Sequence, residues 1–287
     1  MAARTKGLIV VALALVVSAA AAAQGAARII SLVPALTEML FAIGAGPQVI
    51  AVSSYDDFPP DTTRLPRVGA LLDPDVERVL ALRPDLVVTY GSQDALEAQL
   101  ASAGIRTFSY RHGGLEALFQ TLRELGVATG RAAEAGRAAD QIRQQLDAVR
   151  ARVRGRPRPR VLLVFGREPG TLNQLYASGG AGFLHEMLEI AGGTNVLADV
   201  GRESVQPSHE TLLTRAPDVV LEIRATRPVA DADVARERAA WATLSSIPAA
   251  RSGRIYFLNG KYLAVPGPRV GLATEAFARA LHPEAYR

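Results

Sequence analysis

Two stretches of this chain occur twice, and no other feature restricts its fold as much. Pro74, Glu77, Leu80, Pro84, Asp85 and Val87 recur as Pro207, Glu210, Leu213, Pro217, Asp218 and Val220, all at an offset of 133 residues. Upstream in each half, Leu36-Thr37-Glu38-Met39-Leu40 with Gly44 matches Leu184-His185-Glu186-Met187-Leu188 with Gly192 at an offset of 148. The two elements keep their order, and a difference of 15 residues in the connections reconciles the offsets. A period this long duplicates a lobe rather than a solenoid unit. The sequence therefore predicts two related lobes, over 28–130 and 160–287, in a chain long enough to bury a core in each.

Within each lobe, short apolar runs alternate with helical patterns. In the first lobe the expected strands are 29–32, 49–52, 86–89 and 106–109. Between them, helical patterns cover 36–43, the segment ending near Pro84, and 95–103. In the second lobe the matching strands are 161–165, 219–223 and 255–258. Alternation of this kind predicts an α/β fold of two Rossmann-like lobes, each with a parallel sheet covered by helices. Between the lobes, over 131–156, Ile142, Leu146, Val149 and Val153 fall at spacings of 4, 3 and 4. That is one face of a single long interlobe helix, roughly 36 Å in length if it runs from about Arg131 to Arg154. The arginines at its end read as a solvated helix terminus rather than a nucleic-acid arm.

Composition narrows the setting. Residues 1–23 carry Arg4 and Lys6, then an apolar core from Gly7 to Val17, then Ala21-Ala22-Ala23. That is the pattern of a cleaved secretory signal, with a core too short for a membrane span. Cysteine is absent, which excludes disulfides, thiolate nucleophiles, cysteine metal sites and a lipid-anchoring cysteine. The formal charge of +4 falls to +2 without Arg4 and Lys6, so no polyanionic partner is implied.

Several motifs carry a resemblance to a known class. These are Arg28 to Pro34 with Thr37-Glu38, Ser54 to Pro60, Glu77 to Asp85, Gly192 to Val196, Glu210 to Asp218, and Pro266-Gly267-Pro268-Arg269. From about Arg28 to the C-terminus the chain resembles the periplasmic solute-binding proteins that serve cobalamin, haem and siderophore importers, most of all the cobalamin binders. The resemblance implies capture of a corrinoid or similar large chelate in a cleft where the lobes face each other, and delivery to an ABC permease dimer by an exported monomer. Tyr55, Tyr90, Ser92, Phe165, Tyr262 and Arg269 would line the cleft, at the C-terminal ends of strands. Flat aromatic faces suit a planar macrocycle, and arginine suits its amide or carboxylate rim. Glu77 and Glu210, equivalent positions early in their helices, would dock on arginine pockets of the two-fold permease.

The chain also departs from those relatives. Where the cobalamin binders present tryptophans to the corrin, the matching regions carry Leu71 or Leu72, Tyr90 and Ser204, so a ferric siderophore or haem remains an alternative ligand. The segment Gly69 to Leu72 lacks the tyrosine that haem binders of the class usually place nearby. His112, His185, His209 and His282 are scattered along the chain, with surface or helix-cap roles expected and no metal site implied. No phosphate loop, nucleophile elbow or His-Glu-x-x-His pair occurs. A binding protein without catalysis or cofactor is the reading, with a secreted enzyme as the competitor from another class. Asp56 and Asp57 read as turn residues, and Trp241 as core.

Overall fold

The computed structural model describes residues 25–226 and 228–287; the secretory signal expected over 1–23 lies outside them. The chain divides into two compact units, one of residues up to Arg111 with Gln120–Ala139, the other of His112–Phe119 with Asp140–Arg287.

The first unit contains β1 (Ile29–Ser31), β2 (Val49–Val52), β3 (Leu86–Tyr90) and β4 (Arg106–Tyr110), in the order β2-β1-β3-β4 and all parallel. Their connections carry α1 (Pro34–Ala42), α2 (Val76–Ala81) and α3 (Asp94–Ser102). With helices on the connections, both faces of the sheet are covered, so the strands read as continuous apolar runs rather than alternating ones. Ile30, Ala51 and Val87 pack in one cluster with Val79, Leu96 and Leu100. Pro34 starts α1 at a position where a missing N–H costs nothing.

Two consecutive helices follow, α4 (Leu115–Thr129) and α5 (Ala132–Val153). The second is the long helix expected from the 4, 3, 4 spacing, and Ile142, Leu146, Val149 and Val153 are all buried. The division between units falls inside both helices rather than at their ends.

In the second unit β5 (Arg160–Gly166), β9 (Val219–Arg224) and β10 (Ile255–Asn259) are the parallel strands expected. The sheet is nonetheless mixed. The strands β6 (Tyr176–Gly179) and β8 (Arg202–Val205) extend it antiparallel, and the two-residue β7 (Thr194–Asn195) pairs with the start of β5, for an order of β10-β9-β5-β6-β8. The physical reason is the connection: 167–175 is too short to carry the crossover helix a parallel return requires, so the chain comes back antiparallel. The helices of this unit are α6 (Gly182–Ile190), α7 (His209–Arg215), α8 (Val234–Trp241), α9 (Pro248–Ser252) and α10 (Val270–Leu281). Trp241 is fully buried in the core with Leu162, Val164, Val220 and Ile255.

The two repeats fold alike. In α2 the side chain of Asp75 caps by accepting the Arg78 N–H, and in α7 the side chain of Ser208 caps by accepting that of Thr211. After the helices, Arg83 and Ala216 take the left-handed conformation at the same point of the repeat (φ 48° and 43°). In both units this left-handed residue directly precedes the proline, and the helix has ended before it.

Candidate functional site

In a parallel sheet the strand ends open where the chain leaves for a helix, and ligand loops collect on that edge. In the first unit, Tyr55 follows β2 in a loop held from beneath. Ser53 donates its backbone N–H (2.9 Å) and hydroxyl to one oxygen of Asp56, and the Arg67 guanidinium donates to the carbonyls of Ser53 (2.9 Å) and Asp56 (2.6 Å). Asp56, expected as a turn residue, is thus the buried tie of the turn, while Tyr55 stands 69 % exposed on top of it. Burial pushes the Asp56 carboxyl above the usual carboxylate range, against hydrogen bonds from Ser53 and Thr37 and the charge of Arg67. Its second oxygen is buried with no hydrogen-bond partner among the described residues.

Tyr90 ends β3 on the same sheet edge. Its N–H donates to the side chain of Gln93 (2.8 Å), whose amide donates to the Leu71 carbonyl (2.9 Å), binding two edge loops together. The Tyr90 ring stands edge-on to Tyr110, with centroids 5.7 Å apart. Tyr110, which sequence reasoning left out, is buried. Ser92 is exposed beside them.

In the second unit, Phe165 near the end of β5 lies against Tyr176 (centroids 6.5 Å) and forms one wall of a cavity of about 260 Å³ with His112, Phe183 and Glu203. Tyr262 and Arg269 come together in the loop after β10, the guanidinium 5.6 Å from the ring centroid. The close approach of Tyr262 to Gly260 (φ 147°) leaves no room for a side chain there: an added Cβ would meet the ring at 2.6 Å.

Beneath these loops is a buried charge cluster that sequence reasoning missed. The Arg167 guanidinium donates to both oxygens of Glu222 (3.0–3.1 Å) and pairs with Glu237 at 2.9 Å. Arg224 pairs with Glu222 at 2.7 Å and Glu237 at 2.9 Å, and the Trp241 indole N–H donates to Glu222. Two arginines thus neutralise two glutamates, which is what makes their burial tolerable. Glu237 also accepts the Gly170 N–H (3.0 Å), and Arg167 donates to the Thr171 carbonyl (2.8 Å), fixing the loop after β5. The available signal was Glu222 itself, a lone acid inside the apolar run Val219 to Ile223.

Glu77 and Glu210 sit in the first turns of α2 and α7, both exposed. Neither carboxylate has an ion-pair or hydrogen-bond partner among the described residues. Of the histidines, His209 is exposed at the start of α7. His282 is not at the surface but takes the other expected role, that of a helix cap: it is the C-cap residue of α10 and is buried, with its ring 3.3 Å from the Gly192 carbonyl. His112 differs, lining the Phe165 cavity. Among the described residues no group of three or more His, Cys, Asp or Glu is placed to hold a metal ion, and no helix is long and apolar enough to cross a membrane.

Comparison with known proteins follows this geometry. The model of a family described as periplasmic binding protein matches residues 29–262. The vitamin B12-binding protein of Salmonella typhimurium (strain LT2) is 31 % identical over 258 residues, covering 89 % of this chain and 90 % of that protein. Among solved structures, the periplasmic vitamin B12 binding protein of Vibrio cholerae superposes with a TM-score of 0.74 at 25 % identity, covering 91 % of this chain and 98 % of that one. A periplasmic haem binding protein from Pseudomonas aeruginosa gives the same TM-score of 0.74 at 29 % identity, over 90 % and 93 % of the two chains.

Proposed function

This chain belongs to the periplasmic binding protein family, and from that premise we propose that it is the solute-binding component of an ABC importer, capturing a corrinoid of the vitamin B12 type. The observation that carries the ligand is the similarity to a vitamin B12-binding protein over nine-tenths of both chains. The residues at the sheet edges agree with it. Tyr55 and Tyr90 in the first unit, and Phe165 and Tyr262 in the second, offer flat faces for a macrocycle, with Ser92 and Arg269 as polar contacts. The work is binding and release, and no reaction is assigned to any residue.

In this account residues 1–23 export the chain to the periplasm, where it acts as a monomer. Glu77 and Glu210 then dock it on the permease dimer, each exposed carboxylate meeting an arginine pocket. A second reading, a haem or ferric siderophore carrier, is favoured by one observation: a haem binding protein superposes as well as a B12 binding protein does.

The test is an ultraviolet-visible spectrum of the purified protein after incubation with cyanocobalamin, and separately with haem, and removal of free ligand by gel filtration. Corrin absorbance should travel with the protein. Retention of haem and not of the corrinoid would overturn the assignment in favour of the second reading.

A further inference from the structure

The second unit contains a cavity whose polar rim has no role in the account so far. Phe165, Phe183 and Leu184 give it apolar walls, and His112, Glu203 and Ser204 line it with polar groups. At about 260 Å³ it is smaller than the roughly 300–1,000 Å³ of whole small-molecule sites, so it fits one arm of a larger ligand.

The carboxylate of Glu203 is held in position there. It lies 3.4 Å from Nε2 of His112, whose ring stands edge-on to Phe183 with centroids 5.4 Å apart. Its Cγ and Oε1 press against Gly182, where an added Cβ would come within 3.0 Å of both, so the glycine makes room for the glutamate. Gly182 is also the first residue of α6, the end of a helix that favours a carboxylate beside it. Glu203 is therefore held in place from two sides, by the His112 ring and by Gly182.

An ionised carboxylate accepts hydrogen bonds and cannot donate them. A neutral carboxamide arm would donate its N–H groups to Glu203 and accept the Ser204 hydroxyl with its carbonyl, while its methylene stem meets Phe165 and Phe183. An anionic arm would set one carboxylate against another in a partly desolvated pocket, an arrangement that rejects wrong partners strongly. We propose that Glu203 is a specificity-determining residue, admitting a neutral carboxamide arm of a large ligand and rejecting a carboxylate arm. The inference rests on the solute-binding reading above and sharpens it. The corrin periphery carries carboxamide arms, whereas the peripheral arms of haem and of many siderophores are carboxylates.

The experiment compares the unaltered protein with Glu203→Gln, which keeps the size of the side chain and removes its charge. Each is titrated with cyanocobalamin and with its separated monocarboxylic acids, in which one peripheral carboxamide has been hydrolysed. The unaltered protein should bind at least one monocarboxylate about tenfold more weakly than the parent, and Glu203→Gln should narrow that gap to about threefold or less by gaining affinity for the acid. Equal affinity for all the acids in the unaltered protein, or an unchanged gap in Glu203→Gln, overturns the proposal. If the unaltered protein binds no corrinoid, the ligand assignment has failed separately, and the same two proteins are then titrated with haem. About a tenfold gain for Glu203→Gln supports the selector, and no gain overturns it.

Discussion

The carboxylate of Asp218 accepts the backbone N–H of Arg160 at 3.0 Å, while the Arg160 guanidinium reaches back to the carbonyl of Arg215 at the end of α7. The first unit repeats the arrangement. Asp85 accepts the N–H groups of Ala27 (2.8 Å) and Arg28 (3.1 Å), and the Arg28 guanidinium donates to the carbonyls of Leu82 (2.7 Å) and Arg83 (3.1 Å) beyond α2. In both units an aspartate and an arginine join a helix end to the start of a sheet strand, satisfying carbonyls that the helix leaves unpaired. This explains why Pro-Asp is the part of the repeat that survives so clearly.

Asp85→Ala and Asp218→Ala should each destabilise the protein by about 1 kcal/mol, the usual net worth of such hydrogen bonds. The sites lie in different units, so the two losses should add. Urea unfolding of the single and double variants measures both. A double variant no worse than either single would show that the clamps are not independent.

The buried cluster in the second unit predicts a larger effect. Arg167→Met leaves Glu222 and Glu237 with Arg224 as their one buried counter-charge, and removing one partner of a buried pair typically costs about 3–5 kcal/mol. Changing Arg167 and Glu222 together to apolar residues should recover part of that loss, because fewer uncompensated charges remain. Thermal unfolding of the single and double variants checks the sign of the coupling.

Asp56 predicts a pH dependence of the opposite sense to that of a paired acid. Burial raises its folded-state pKa above the ordinary value of 3.8, so the ionised form works against folding above the raised pKa. The penalty falls away as pH drops through the folded pKa and is gone below 3.8. Asp56→Asn keeps an acceptor for Ser53 and removes the charge. It should gain on the order of 1 kcal/mol near neutral pH, with the gain vanishing in acid. Denaturant titrations across pH follow the difference, and a gain that persists in acid would point to a cause other than ionisation.

Glu77→Ala and Glu210→Ala should leave ligand affinity nearly unchanged and weaken capture by the permease, the double change more than either alone. Both side chains are exposed and lack partners among the described residues, so their loss disturbs no packing. Pull-down by the reconstituted permease, beside a ligand titration of the free variants, separates docking from binding. Loss of ligand binding in the free protein would contradict the docking role.

What the sequence made legible follows from how local the causes are. The parallel strands, the long helix and the ends of α2 and α7 were readable because apolar runs, a 4, 3, 4 spacing and the Pro-Asp pairs act over a few residues. The antiparallel β6 and β8 were not, since Tyr176 to Gly179 and Arg202 to Val205 are short, glycine-bearing or exposed, with no period. The buried cluster joins Arg167 to Glu222 across 55 residues, and the rim pair joins His112 to Glu203 across 91. Nothing in the neighbourhood of either residue announces its partner. Tyr90 and Phe165 could be named because they stand at strand ends, and Tyr55, Tyr262 and Arg269 because they lie in loops that follow strands; Tyr110 also ends a strand, but the run expected for it stopped at Ser109, and Glu203 is placed by tertiary packing.

The central claim is capture of a corrinoid, and calorimetric titration of the purified protein with cyanocobalamin tests it most directly. The account predicts saturable binding of one ligand per chain, weakened by about 1–3 kcal/mol when Tyr55 or Tyr90 is cut to alanine. No heat and no change in the corrin spectrum at high ligand concentration would contradict it.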